Sequence, residues 1–276
     1  MKLNDSSNVI QFEPTSISIE ELKNIGIQQH FEDMKKHVVK IDGKYYYSKI
    51  CRSRDMVSEL IGTYLCDLVG LDVVDYLIGQ TGTGEPSNYY YALSEIFYKK
   101  GYFYSTTQDY FEMRPDDEKV YSQKMDRFFI CDTCVLDQID NPELINSVMK
   151  MTAVDIKMGQ IDRHNYNVML RLTMNGKAEM EKLFDFGGAY EDDPPYPEYY
   201  CYDNPFLIVR KNTISIMRLV KKYPQIRESA AILRDVPLYD VIKEIEKRFN
   251  IKIEDKDIPS YLKMDKQFNR VLRKIR

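Results

Sequence analysis

Two short motifs place oxygen-bearing side chains at a spacing that could do chemistry. In Gly159-Gln160-Ile161-Asp162-Arg163-His164-Asn165-Tyr166-Asn167-Val168, an Asp stands five positions before an Asn, and Asp185-Phe186-Gly187-Gly188 follows. Between them, Val168 to Thr173 and Ala178 to Phe184 read as two strands around an Asn175-Gly176 turn. Pairing those strands brings Asn167 and Asp185 together at the open end of a hairpin. Carboxylate and carboxamide oxygens are hard ligands that suit magnesium. A further carboxylate, Asp162, can orient an attacking hydroxyl and accept its proton. That set is what phosphoryl transfer from a nucleotide triphosphate requires. Either motif alone reads as a loop cap or a strand exit. Both in order, with a hairpin between them, are specific.

Asp-Arg-His-Asn-Tyr-Asn followed by Leu-Phe-Asp-Phe-Gly-Gly resembles the active site shared by phosphatidylinositol kinases and HipA-like serine/threonine kinases. The resemblance is carried by residues 159 to 188. It implies that Asp162 is the catalytic carboxylate and His164 a phosphate or transition-state contact, with Asn167 and Asp185 as metal ligands. It also implies ATP with Mg2+ (or Mn2+), and an α+β, bilobal protein-kinase-like fold with a small β-rich N-lobe and a larger helical C-lobe. One part of the pattern departs: His30 to His37, where such kinases carry a glycine-bearing phosphate loop, has no glycine, and Gly82 and Gly84 come later. Lys35, Lys36 or another backbone segment would have to contact the phosphates.

The elements that must hold these residues can be read from pattern. Residues 1 to about 15 are polar and patternless, a loose arm. Ser18 and Glu21 form a capping box at the start of a short helix that Gly26 ends. Lys36 to Ile41 and Lys44 to Cys51 are β-rich runs joined by Asp42-Gly43, a hairpin signal. Ser53 is placed to cap a helix whose apolar residues Val57, Leu60, Ile61, Tyr64, Leu65 and Leu68 recur at helical spacing up to Gly70. Val73 to Gly79 and Tyr89 to Phe97 read as strands around a turn-rich loop, Gln80 to Ser87. Residues 16 to 98 are thus expected to form a nucleotide-binding sheet crossed by one helix, and residues 99 to 276 a helical lobe. In that helical lobe, Asp116 to Ile139 has helical periodicity, Asn141 with Pro142 opens a helix ending near Met158, and Leu238 to Phe249 carries one apolar face.

Within the sheet, Lys49 in a strand and Glu59 on the following helix match the lysine–glutamate pair that kinases use against phosphates. Lys40 is the next candidate for the lysine. Glu95 and Phe97, at the end of the fourth strand, fall where a kinase hinge offers backbone hydrogen bonds to adenine. The tyrosine runs at 45–47 and 89–91 read as strand residues.

Charge narrows the partners. The formal net charge is −4, against the basic balance that phosphate contacts demand of a nucleic-acid binder. The basic stretch Lys263 to Arg276 reads as a solvated helix face. No run approaches the apolar length that spans a bilayer, and Met-Lys-Leu-Asn-Asp-Ser-Ser-Asn carries no secretory signal. Five cysteines, with no second Cys/His pair near Cys131 and Cys134, are expected to be reduced thiols in a cytoplasmic protein. Gly188 to Pro205 contains Glu191, Asp192, Asp193, Glu198 and Asp203 and no Lys or Arg. Such an acidic lip favours a protein substrate, neutral or basic around its acceptor, over an anionic lipid. Two other readings remain: a lipid or small-molecule kinase with the same site, and a nucleotide-binding pseudokinase acting as an interaction module.

Overall fold

The first strand pairing falls where composition predicts a loose arm. β1 (Ile10–Gln11) lies parallel to β4 (Tyr76–Gln80), Ile10 opposite Gly79, and Phe12 behind it is buried. Gly79 makes room, because a Cβ there would come within 2.6 Å of the Phe12 ring. The computed structural model describes residues 9–13, 15, 17–25, 37–81, 89–98, 102–106, 141–160, 163, 167–173, 177–187, 189, 203–204, 207–208, 221 and 223–274. Asp162, His164, the glycine-free segment His30 to Lys36, the periodic run Asp116 to Ile139, and the acidic lip apart from Ala189, Asp203 and Asn204 lie outside them.

Helix α1 (Ile19–Asn24) opens with the capping box read from sequence: Ser18 Oγ accepts from the Glu21 amide at 3.1 Å, and the Glu21 carboxylate accepts from the Ser18 amide at 3.0 Å. Next, β2 (Val38–Ile41) and β3 (Lys44–Arg52) pair antiparallel from Val38↔Tyr47 to Ile41↔Lys44. Asp42 and Gly43 between them have φ of +49° and +81°. Two left-handed residues in succession match the twist of the flanking strands. With β5 (Tyr89–Glu95) the sheet has the order β1-β4-β5-β3-β2. Two strands are shorter than the sequence suggests. β4 begins at Tyr76 rather than Val73, which instead makes an isolated parallel bridge to Leu183, and β5 stops at Glu95.

Helix α2 (Ser53–Leu68) crosses this sheet. Ser53 is its first helical residue, not its cap; Arg52 holds the cap position and makes no side-chain capping bond. Apolar spacing predicts one buried face. The structure buries almost the whole helix, with Met56, Val57, Leu60, Ile61, Leu65 and Cys66 inside and Ser58, Glu59 and Thr63 beside them. The reason is that α2 has the sheet on one side and helices on the other.

Those helices begin with α3 (Pro142–Met158), started by Asn141 and Pro142 and ended by Gly159 at φ +62°. A second sheet, β6-β7-β8, follows the pairing of β6 (Phe103–Thr106), β7 (Met169–Leu172) and β8 (Ala178–Met180). β7 and β8 are the expected hairpin. β6 falls where the sequence texture was read as already helical. A small ribbon, β9 (Asp203–Asn204) with β10 (Leu207–Ile208), precedes α4 (Pro224–Arg234), α5 (Leu238–Phe249) and α6 (Ile258–Lys274). Helix α4 packs on α3, α6 on α3 and α5, and α5 reaches α2.

One core cluster runs from Cys51 and α2 through Val148, Met151 and Val154 of α3 to Ile242, Ile245 and Phe268. The two lobes therefore share one apolar interior instead of meeting at a wet seam. Helix α6 uses its basic residues as the sequence suggests, Lys263, Lys266 and Arg270 being exposed while Tyr261, Met264 and Phe268 face inward. Lys157, its side chain fully buried, pairs with Asp265 and lies 4.9 Å from the Phe268 ring centroid. Burial pulls its ammonium below the ordinary value, against the attraction of Asp265. Cys51 and Cys66 are free, buried thiols, and burial and the charge of Glu59 push Cys51 up to about 12. Among the described residues no helix is long and apolar enough to cross a membrane.

Asn141 offers a local test of this frame. Its Oδ1 accepts from the Leu144 amide at 3.2 Å, and its Nδ2 donates to the Ala178 carbonyl at 2.6 Å, tying α3 to β8. Asn141→Ala removes both and is expected to cost about 2 kcal/mol in urea unfolding. Asn141→Ser keeps a capping oxygen and loses the bond to Ala178, so its cost should be about half as large.

Candidate functional site

Alternation along β3 sends Lys49 and Cys51 to the face that α2 covers, and α2 presents Glu59 from near its middle. Lys49 Nζ donates to Glu59 Oε1 at 3.0 Å and forms an ion pair with Asp185 Oδ1. Three side chains that are far apart in sequence therefore meet at one ammonium. Burial pulls the Lys49 ammonium down, but the Glu59 and Asp185 carboxylates overcome it and raise it above its ordinary value. Lys49 keeps 44% of its side chain exposed, so solvent reaches this cluster from the lysine side.

Glu59 itself has no exposed surface. Burial pushes its carboxyl upward, against Lys49 and the Phe186 amide. Its oxygens also accept from the Tyr76 hydroxyl at 3.0 Å, the Phe186 amide at 2.8 Å and the Gly187 amide at 3.1 Å. The sequence assigns Glu59 one task, holding Lys49. In the structure it also fixes the backbone that follows Asp185.

Asp185 has φ +60°, a left-handed conformation that costs a non-glycine residue on the order of 1–2 kcal/mol, with Asp among the more tolerant. Its amide donates to the Tyr76 hydroxyl at 3.3 Å, and its carbonyl accepts from Gln160 Nε2 at 2.9 Å. Leu183, two residues before, is held by main-chain bonds to Asp72 and Val74, both 3.0 Å.

Arg163, fully buried, gathers the rest. Its guanidinium binds the Asp155 carboxylate at 3.1 and 3.2 Å and donates to the carbonyls of Asn167 at 3.2 Å and Phe184 at 2.7 Å. One side chain thus joins the end of α3, Asn167, and the residue before Asp185. The same guanidinium lies 4.7 Å from the centroid of Phe186, whose ring is fully buried. On its other side that ring abuts α2 at Gly62, where any Cβ would run into it.

The remaining expected site residues fall at the edge of this cluster. Glu95 is exposed and pairs with Lys44 at 3.6 Å, so its side chain takes no part; Phe97 stacks on Tyr98 and Tyr104 at centroid distances of 5.4 and 6.4 Å. Any role for this segment in holding a base would use its main chain. Lys40 is engaged by Glu21 at 3.2 Å and Tyr45, away from Asp185. Tyr76, Gln160, Arg163 and Asp155 were missed by sequence reading. Tyr76 and Gln160 meet Asp185 from distant segments, and although Arg163 and Asp155 are close in sequence no local pattern marks their charges as a buried pair. Gly62 did leave a signal: a glycine inside a helix costs about 1 kcal/mol relative to Ala and asks for a packing reason.

An α+β fold in which a strand lysine is met by a helix glutamate and by an aspartate has a kinase-like architecture. Solved structures agree. The chain superposes on the Helicobacter pylori proinflammatory kinase CtkA with a TM-score of 0.54, covering 86% of this chain and 91% of that one at 13% identity. It superposes on HipA of the Shewanella oneidensis MR-1 toxin–antitoxin system, solved with HipB and operator DNA, with a TM-score of 0.50. There it covers 86% of this chain and 62% of that one, at 11% identity. The fold is that of HipA-like kinases. No protein-family model and no curated protein sequence matches the chain.

The contact between Phe186 and Gly62 makes a prediction with a reversed sign. On helix propensity alone, Gly62→Ala would stabilise by about 1 kcal/mol. Overpacking against the ring costs about 1–3 kcal/mol, so the substitution is expected to lower the urea midpoint. Adding Phe186→Leu should recover part of the loss, giving a favourable coupling in a double-mutant cycle.

Proposed function

We propose that this protein is an ATP- and magnesium-dependent kinase of HipA-like type, acting on serine or threonine hydroxyls of proteins. The observation that carries the reading is the convergence of Lys49, Glu59 and Asp185 at one cleft, in a kinase-like fold. A lysine whose charge is held by two carboxylates stays protonated at any physiological pH and can neutralise phosphate oxygens. The donor set also fits a hard divalent cation: the Asp185 carboxylate faces the cleft and the Asn167 backbone is fixed by Arg163. Asn167 and Asp185 would hold magnesium or manganese, which when bound supplies charge neutralisation on the β- and γ-phosphates.

In this reading the acceptor oxygen bonds to the γ-phosphorus as the β–γ bridging bond breaks, and ADP leaves. Asp162 orients the acceptor and takes its proton, while His164 contacts the transferring phosphate. Lys49 positions the phosphates and Glu59 positions Lys49. The main chain from Glu95 to Phe97 meets the adenine. The acidic composition of Gly188 to Pro205 supports a protein acceptor that is neutral or basic, since an anionic headgroup would be repelled.

Labelled ATP with magnesium tests the reaction. Asp162→Ala and Asp185→Asn should each abolish transfer while thermal unfolding stays close to wild type, and Lys49→Ala should lower transfer at least 100-fold. Full activity in a folded Asp185→Asn protein would overturn the assignment.

A substrate assay uses the same label offered to basic proteins and, separately, to phosphoinositide vesicles. Label should appear on protein hydroxyls and weaken as salt rises, because screening shortens the reach of the acidic lip. Transfer to lipid with none to protein would replace the protein-kinase reading by a lipid-kinase one.

A further inference from the structure

We propose that Tyr76 and Gln160 are positioning residues that clamp the peptide units on either side of Asp185 and so set where its carboxylate points. The inference rests on the kinase reading for its functional arm and on the hydrogen bonds alone for its structural arm. Asp185 sits at φ +60°, a conformation its own side chain does not require. An unrestrained chain would leave that region readily, because the right-handed and extended regions are wider. Two side chains from separate elements oppose this. The Tyr76 hydroxyl, from β4, accepts from the Asp185 amide at 3.3 Å. Gln160, just past the left-handed end of α3, donates to the Asp185 carbonyl at 2.9 Å.

Both clamps are buried and each is fixed in turn. Tyr76 has its hydroxyl proton committed to Glu59 Oε2 at 3.0 Å, so its oxygen lone pair is turned to the Asp185 amide. Burial and the Glu59 charge push the Tyr76 hydroxyl well above its ordinary value, so it stays a neutral donor. Gln160 is 2% exposed, and its main-chain N–H donates to the Asp155 carbonyl at 2.9 Å, which anchors it to the last turn of α3. The Asp185 carboxylate touches Lys49 because its backbone is held on both sides. Tyr76 also donates to Glu59, which holds Lys49, whereas Gln160 bonds to the Asp185 carbonyl. Weakening the Gln160 clamp should therefore loosen the Asp185 carboxylate as a metal ligand and leave the attraction of Lys49 for phosphate in place, while weakening the Tyr76 clamp should do the first and also disturb Lys49.

The test uses the intact protein with Tyr76→Phe, which removes only the hydroxyl, and Gln160→Met, which removes only the amide group. Hydrogen–deuterium exchange without any ligand should quicken about tenfold or more in the peptide covering Leu183 to Gly187, with α3 and α4 unchanged. The Mn2+ concentration for half-maximal ATP binding should rise about five- to tenfold in each variant, while ATP binding in EDTA stays at the wild-type level in Gln160→Met and weakens in Tyr76→Phe, whose hydroxyl also holds Glu59. Unchanged exchange at Leu183 to Gly187 in both variants overturns the clamp. So does faster exchange with an unmoved Mn2+ requirement, which would make the two residues purely structural. If the wild-type protein binds no ATP, the kinase reading fails by that result, and the exchange measurement alone decides whether the clamp exists.

Discussion

Glu59 sits in the middle of a buried helix with no water to solvate it, and its two oxygens are satisfied by Lys49, the Tyr76 hydroxyl and the amides of Phe186 and Gly187. An ionised carboxylate left unpaired in such a place would be heavily penalised. Its donors come from β3, from β4 and from the chain after β8, so satisfying one side chain fixes three segments at once. The position of Asp185 beside Lys49 follows from that requirement. So does the burial of Phe186, because the amide preceding its ring is held against α2 and the ring has only the notch at Gly62 and the plane of Arg163 to occupy.

What could be read from sequence was local in origin. The Asp42-Gly43 hairpin, the Ser18–Glu21 box and the Asn141–Pro142 start each depend on residues within a few positions of one another. The pairing of Lys49 with Glu59 was legible because β3 runs directly into α2, and Asp185 was placed by the hairpin β7–β8 that precedes it. What escaped was long-range. Ile10–Gln11 looks like an arm until β4 supplies a partner, and Phe103–Thr106 looks unremarkable until β7 lies beside it. Tyr76 is an ordinary strand tyrosine in sequence; only the fold brings it between Glu59 and Asp185. Arg163 lies only eight residues from Asp155, yet it is its distant partner, the Phe184 carbonyl, that shows why its charge is buried. Amphipathic spacing also underestimated α2, whose polar face is covered because helices from the end of the chain pack there.

That second covering gives α6 a position between the halves of the site. Tyr261 places its hydroxyl 3.3 Å from Ser58 Oγ and donates to the Arg54 carbonyl at 3.2 Å, on the turn before Glu59. Met264, one turn on, lies against Gly159, where α3 gives way to the segment leading to Asp162. The helix that carries the glutamate and the helix that ends at Gly159 are thus packed on one strut. Close-packed interiors transmit displacement poorly by degrees, so a shift of α6 would be felt at both ends of the cleft together.

The sequence distances in this network also order events during synthesis. Glu59 is made 127 residues before Phe186, and Ser58 is made 203 residues before Tyr261. At about 5–20 residues per second, roughly 6–25 s pass before Glu59 meets its backbone donors, and roughly 10–40 s before α6 exists to close over α2. The sheet can form early from its hairpin and cover one side of α2, while the other side is covered in stages as α3, α4 and α5 are made. The polar seal around Ser58 comes last of these, because Tyr261 is made 203 residues after it. The centre of the fold therefore closes in the order in which its helices are made, with α6 at the end of that order.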